Sequence, residues 1–290
     1  MNSELDDSAI NASLFPSDSS YCTHYFRALG HCRNEIKKRL RMALSIPHED
    51  IFLLSNSTHC LLTVLHGLSA QSRTLSIEAG CYHPYRMLPQ PSYGQSVPLI
   101  THISPDSVNV ACIHQKAVVV DAAQSIGVVC HHSEAFSADV VFFPPHKHLA
   151  LQTGVGVLCV RKRYEYETVR KTAQIAESGT VNNVVLQALL ERLTTKPLLF
   201  NIAMFSLTPA QAESLTMLGF EPVTQLYSQT PFLVVKTSSG HLLPEYLVNN
   251  FSLKMLDANH WRISCYIPGT LDSPPKECAS LLINVLRSKL

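Results

Sequence analysis

Three short stretches of this chain carry side chains that could do chemistry together, and each follows an apolar run. PPHKH, which holds His146, Lys147 and His148, follows VVFF (140–143). DAAQSIG, which holds Asp121 and Gln124, follows AVVV (117–120). SNSTH, with Ser55, Asn56, Ser57, Thr58 and His59, follows IFLL (51–54). Lysine is rarely buried without a partner, so Lys147 is either a solvated loop charge or a reactive amine. Asp121, at the end of a buried run, either caps a turn or aims a carboxylate at a ligand. The hydroxyls and free N–H groups of SNSTH either cap a helix or cradle a phosphate. Taken singly, each stretch is read better in its structural sense. Together, three strand ends offer an amine, a carboxylate and a phosphate cradle, the set that pyridoxal phosphate uses. The lysine would carry the aldehyde as a Schiff base, and the carboxylate would pair with the protonated pyridine nitrogen.

The elements that must position these groups follow from the patterning. Residues 1–20, rich in Ser, Asp and Asn, read as a loose arm rather than a signal peptide. Tyr25, Phe26, Leu29, Ile36, Leu40 and Leu44 fit an amphipathic helix over about 23–45. IFLL then precedes a helix from about Ser57 to Ser69, and TLSI (74–77), VPLI (97–100), AVVV, VVFF and VGVLCV (155–160) read as strands. Strands alternating with helices predict an α/β fold, a mainly parallel central sheet with helices on both faces. Ligands of such sheets sit outside the carboxyl ends of the strands, where all three stretches fall. From about Glu165 the texture turns helical and ends in VLQALLERL. FLVVK (232–236), a helix over LLPEYLVNN, SLKML (252–256), HWRISCYI (260–267) and a last helix in PPKECASLLINVLRSKL predict a small α+β unit. The expected division is an arm over 1–20, a cofactor-binding domain over 21–200 and a C-terminal α+β domain over 201–290.

The chain has 290 residues, 46% hydrophobic and 16% charged, with a net charge of +1. That is enough for a large core, and without a basic block no nucleic-acid partner is expected. No apolar stretch approaches the roughly 18 residues of a membrane span. Nine cysteines without a C-x-x-C pair read as reduced thiols in a cytoplasmic protein. No metal is expected, since Cys130-His131-His132 and His59-Cys60 lack well-spaced ligand pairs. A Gly-x-Gly-x-x-Gly after a strand and a P-loop are both missing, which leaves nucleotide cofactors without support.

The order VVVDAAQSIG, then ADVVFF..HK and GVGVL, resembles the core of the class V aminotransferase family. These are pyridoxal-phosphate enzymes of fold type I, a group that includes cysteine desulfurases. The resemblance runs from about Ile51 to the C-terminus and is densest over 117–161. It implies that Lys147 forms the Schiff base and then shuttles the proton. It implies that Asp121 pairs with the pyridine nitrogen and that Gln124 donates to the phenolic oxygen. Ser57 and Thr58 would hold the phosphate, with His146 beside it. His83, in EAGCYHPYR, falls near the family's ring-stacking position, with Tyr82 as the competing residue. SGTVNN (178–183) is similar to a stretch whose threonine reaches the phosphate of a neighbouring subunit, so Thr180 implies a homodimer with shared sites. Arg262 of WRIS matches the arginine that grips the substrate carboxylate, a task suited to a bidentate guanidinium. The implied partner is an amino acid with an α-carboxylate.

The chain also departs from the family. Pro144 and Pro145 stand where a small hydroxyl residue usually touches the phosphate, His59 where desulfurases carry an acid, and His148 where an aromatic is common. The chain is short at its N-terminus and between Leu190 and Phe232. No cysteine lies between Phe232 and Trp261, and Cys265 falls inside a predicted strand; both argue against desulfuration through a persulfide. Transamination is the expected reaction. C–S or C–C lyase, β-elimination and racemase chemistry use the same parts, and a catalytically silent scaffold is the reading from a different class.

Overall fold

In the computed structural model, the described residues are 21–46, 49–77, 81–88, 94–105, 110–113, 118–126, 132–145, 154–179, 182–195, 205–223, 226–227, 230–237, 247, 251–264 and 277–288. The first sheet has six strands: β1 (Glu49–Leu54), β2 (Arg73–Ile77), β3 (Gln95–Thr101), β4 (Val119–Asp121), β5 (Val140–Phe143) and β6 (Gly156–Arg161). Their order is β1-β6-β5-β4-β3-β2. The β2–β3, β3–β4 and β4–β5 pairs are parallel, whereas β6 runs antiparallel to both β5 and β1. Five of the six strands therefore point the same way, and one reversed strand is inserted among them.

The continuous apolar runs arise because both faces of this sheet are covered. Ile51, Leu53, Val120, Val141, Phe143, Val157 and Cys159 face one core. That core is closed by helix α1 (Tyr21–Leu44) and by α5 (Asn183–Thr195). Their neighbours Phe52, Leu54, Val119, Val140, Phe142, Leu158 and Val160 face a second core. It is closed by α2 (Ser57–Ser69) and α4 (Glu167–Ser178). Between these lies one short helix, α3 (His132–Ala135). Asp121 follows the parity of Val119, which puts its carboxylate on the α2 side. The fold class expected from the sequence is the one observed.

Beta-strand β1 is an edge strand, and an acid covers its free edge. The Leu53 N–H donates to Glu177 Oε1 at 2.7 Å, while Lys37 Nζ pairs with Glu177 Oε2 at 2.6 Å. Asp139, from the Ala-Asp that precedes β5, is 1% exposed and pairs with Arg161 at 3.5 Å and Arg163 at 3.4 Å. That part of the motif is structural.

The second sheet has four strands, in the order β7 (Phe220–Pro222), β8 (Phe232–Thr237), β10 (His260–Ser264), β9 (Ser252–Met255), all antiparallel. Helices α6 (Pro209–Met217) and α7 (Cys278–Arg287) pack on the face that carries Leu233, Val235 and Ile263. The opposite face carries Phe232 and Val234, which meet Ile103 beyond the end of β3. The helix expected over LLPEYLVNN lies outside the described residues except for Leu247, as do residues 265–267 of the last predicted strand. Among the described residues no helix is long and apolar enough to cross a membrane.

Candidate functional site

A cavity of about 280 Å3 opens where the carboxyl ends of β1, β3, β4 and β5 meet the uncovered face of the small sheet. Its volume is close to the lower end of ligand-sized clefts. Ser57, Thr58, Asp121, Gln124 and Arg262 all line it. Five residues singled out from the sequence thus come together, from three separate segments.

On one wall stands the start of α2. The helix is capped by Asn56, whose Oδ1 accepts from the His59 N–H at 2.8 Å. The His59 ring in turn bonds the Ser55 hydroxyl at 2.9 Å, so His59 helps to build the turn. With the cap supplied by Asn56, Ser57 Oγ is buried and has no hydrogen-bond partner among the described residues. The first turn of a helix also leaves backbone N–H groups without intrahelical partners. Gly156 is what lets this turn sit against the sheet: a Cβ there would lie 2.3 Å from the Asn56 carbonyl oxygen and 2.7 Å from Cys60 Sγ.

The floor is Asp121, 3% exposed at the last position of β4. Its Oδ1 accepts from the Ala123 N–H at 2.9 Å. It also accepts from the Tyr85 hydroxyl, and Tyr85 is itself 3% exposed. Burial first, and then the Asp121 charge, hold the Tyr85 phenol far above its ordinary pKa. Tyr85 is therefore a neutral donor at any physiological pH. Thr101 pairs directly with Asp121 across the β3–β4 ladder, lines the cavity, and has a buried hydroxyl without a partner among the described residues. Burial and the neighbouring thiol of Cys159, with a smaller contribution from Asp121, push the Cys60 thiol well above its usual pKa. Although Cys60 is close to the site, it is not available as a thiolate.

The far wall comes from the small sheet. Arg262 of β10 lines the cavity with its guanidinium carbon 5.0 Å from the centre of the Phe232 ring. Lys254 of β9 lines it too and is the direct cross-strand partner of Arg262. Pro144, the departure noted in the sequence, is a buried lining residue.

Other expected residues are not reached. His146, Lys147, His148, Thr180 and Cys265 lie outside the described residues, and so does the side chain of His83. Tyr82, the competitor of His83, lines the cavity and meets Tyr85 edge-on at 5.3 Å. Sequence reasoning missed Thr101, Tyr85 and Lys254. Thr101 ends a predicted strand as Asp121 does, so the strand-end rule could have found it. Tyr85 sits in a 3-10 turn (His83–Met87) with no periodic signal, and Lys254 required the β9–β10 register.

Residues 6–228 match the model of a family of unknown function, DUF6024. The chain belongs to this family. No curated protein matches it. Solved structures do. A phosphoserine aminotransferase from Cytophaga hutchinsonii superposes with a TM-score of 0.66 at 12% identity, over 98% of this chain and 93% of the other. An alanine–glyoxylate aminotransferase from Nostoc sp. gives 0.62 at 13%, over 89% and 86%. A serine palmitoyltransferase variant from S. paucimobilis with a bound PLP–myriocin aldimine gives 0.55 at 12%, over 89% and 76%. At these identities the likeness is one of fold, and this DUF6024 chain has the fold of pyridoxal-phosphate-dependent transferases.

Proposed function

We propose that this DUF6024 chain is a pyridoxal-phosphate-dependent enzyme acting at the Cα of an amino acid, as an aminotransferase. The observation that carries the reading is the cavity itself. It has a buried carboxylate on its floor, buried hydroxyls of Ser57 and Thr101 that have no partner among the described residues beside it, and Arg262 opposite. Those hydroxyls and the first turn of α2 fit a phosphate, and Asp121 fits a protonated ring nitrogen. Bound there, pyridoxal phosphate would supply an electron sink for the charge that develops at Cα.

The chain's own groups then have distinct tasks. Ser57 and Thr58 anchor the phosphate, with His146 beside it. Asp121, fixed by Ala123 and Tyr85, keeps a proton on the ring nitrogen. Gln124 donates to the phenolic oxygen. Tyr82 or His83 covers the ring face. Arg262 holds the α-carboxylate and so orients the Cα–H bond. Lys147 would be the base that carries the Cα proton, the proton movement by which transamination differs from simple binding. Thr180 is the residue we assign to the phosphate of a second copy's site, and the proposed active form is a homodimer.

The test is product analysis with a panel of L-amino acids, pyridoxal phosphate and a keto-acid acceptor. An aminotransferase forms keto acid and new amino acid in equal amounts, and Asp121→Asn should slow it by about a hundredfold or more, in line with the loss of a strong charge-assisted contact in the transition state. Keto acid with free ammonia and no need for an acceptor would make it an eliminase. Loss of chirality alone would make it a racemase.

A further inference from the structure

We infer that Tyr85 is a positioning residue that acts through Asp121 and keeps the proton they share with the cofactor on its ring nitrogen. This rests on the reading of the cavity as a pyridoxal-phosphate site and deepens it, by naming the side chain that sets the strength of the electron sink. A ring nitrogen and a carboxylate that face each other hold one proton between them, and it belongs to the pair. With the proton on nitrogen the ring is a cation and withdraws electrons; with it on oxygen the ring is neutral and the sink is weak. Burial favours the second arrangement because it penalises charge, whereas hydrogen bonds donated to the carboxylate favour the first. Asp121 is 3% exposed, so the balance falls on its donors. Two of them are the Ala123 N–H, at 2.9 Å, and the Tyr85 hydroxyl. The N–H comes with the turn that follows β4. The phenol is a choice of residue.

The structure holds that phenol in place. Tyr85 lines the cavity, is 3% exposed and belongs to the core on the α2 side, to which Asp121 also points. Its ring meets Phe142 edge-on at 6.4 Å and Tyr82 at 5.3 Å. Phe142 is the direct partner of Asp121 on the parallel β4–β5 ladder. The strand pair that places the carboxylate therefore also seats the ring that donates to it. Phenylalanine would fill the same space, and a buried hydroxyl is costly unless it is bonded. Packing thus explains the ring of Tyr85 and not its oxygen. Asp121 is the one carboxylate among the described lining residues, and it is the acceptor of that hydroxyl.

The experiment reads the proton itself, without turnover. The full chain is loaded with pyridoxal phosphate isotope-labelled at its ring nitrogen, and nuclear magnetic resonance locates that nitrogen between its protonated and unprotonated positions. Asp121→Asn, which has no carboxylate to pair with the ring, supplies the unprotonated reference. Wild type should lie near the protonated position. In Tyr85→Phe the ratio of protonated ring to protonated carboxylate should fall by about tenfold or more, the worth of a hydrogen bond to a charged group. The resonance should then move toward that of Asp121→Asn. A chain with para-fluorophenylalanine in place of Tyr85 fills the gap left by the hydroxyl without donating, and is read in the same way if Tyr85→Phe melts below the measuring temperature. A resonance that stays at the wild-type position in these chains overturns the inference and leaves the cofactor site standing. A wild-type resonance that is unprotonated and equal to that of Asp121→Asn overturns the inference and the reading of Asp121 together, as does a chain that takes up no cofactor.

Discussion

In the proposed site Asp121 would meet the ligand through a carboxylate held by two donors, the Ala123 N–H and the Tyr85 hydroxyl. Hydrogen bonds to charged groups contribute about 1.5–3 kcal/mol, so Tyr85→Phe should lower stability at neutral pH by about that much. The pH dependence has a definite sign. The folded-state pKa of Tyr85 is raised, by burial first and then by Asp121, above the unfolded value of about 10. Its contribution is therefore fully present below pH 10 and is lost as the pH climbs above 10 toward the folded-state value. Denaturant unfolding at pH 7 to 11 should show the gap between wild type and Tyr85→Phe constant up to about pH 10 and narrowing beyond it. A gap that is constant throughout would mean that the phenol is not held by Asp121. At this scale Asp121 and Arg262 stood out because each ends or lies in a strand-like run, and Gln124 because of its spacing from Asp121 in DAAQ. It hid Tyr85, since nothing in CYHPYRM says which aromatic turns inward to a carboxylate 36 residues on.

Secondary-structure elements bring these residues together through close approaches that only glycine permits. At Gly156 an added Cβ would strike the Asn56 carbonyl at 2.3 Å, and at Gly67 it would strike Val169 Cα at 2.6 Å. Both contacts are with backbone, which cannot rotate away, so Gly156→Ala and Gly67→Ala should each destabilise by about 1–3 kcal/mol through overpacking. They should differ in function. Gly156 sets the height of the α2 start, which the proposed function makes the phosphate wall, whereas Gly67 sets the distance from α2 to α4. Pyridoxal-phosphate titrations should therefore show weakened binding in Gly156→Ala and nearly normal binding in Gly67→Ala at temperatures where both are folded. Equal affinities would separate the α2 turn from the ligand. Strands such as IFLL and VVFF were legible because burial on both faces leaves an unbroken apolar run. The reversed direction of β6 was not, since VGVLCV reads the same in either sense. Helix α6 also escaped: only Leu215 is buried along it, which leaves almost no periodicity. Its capping box, Thr208 with Gln211, and the proline at its start were the available signal.

At the scale of the whole molecule, the cavity belongs to two sheets that share no hydrogen-bonded strand pair among the described residues. The large sheet offers its carboxyl edge, with Ser57, Thr101 and Asp121, and the small sheet offers the face its helices leave bare, with Arg262 and Lys254. The alternation of strands and helices made the first of these predictable. The second depends on register: Arg262 and Ile263 face opposite sides, and a slip by one residue would bury the cation under the helices. The central claim, that this cavity holds pyridoxal phosphate on Lys147, is tested most directly by covalent trapping. Purified protein is mixed with the cofactor, its visible absorption recorded, sodium borohydride added, and the reduced protein digested and mapped by mass spectrometry. The account predicts a yellow absorption band that reduction abolishes and a pyridoxyl group on Lys147 alone, missing from Lys147→Ala. A protein that stays colourless, or one modified only at scattered surface lysines, would contradict it.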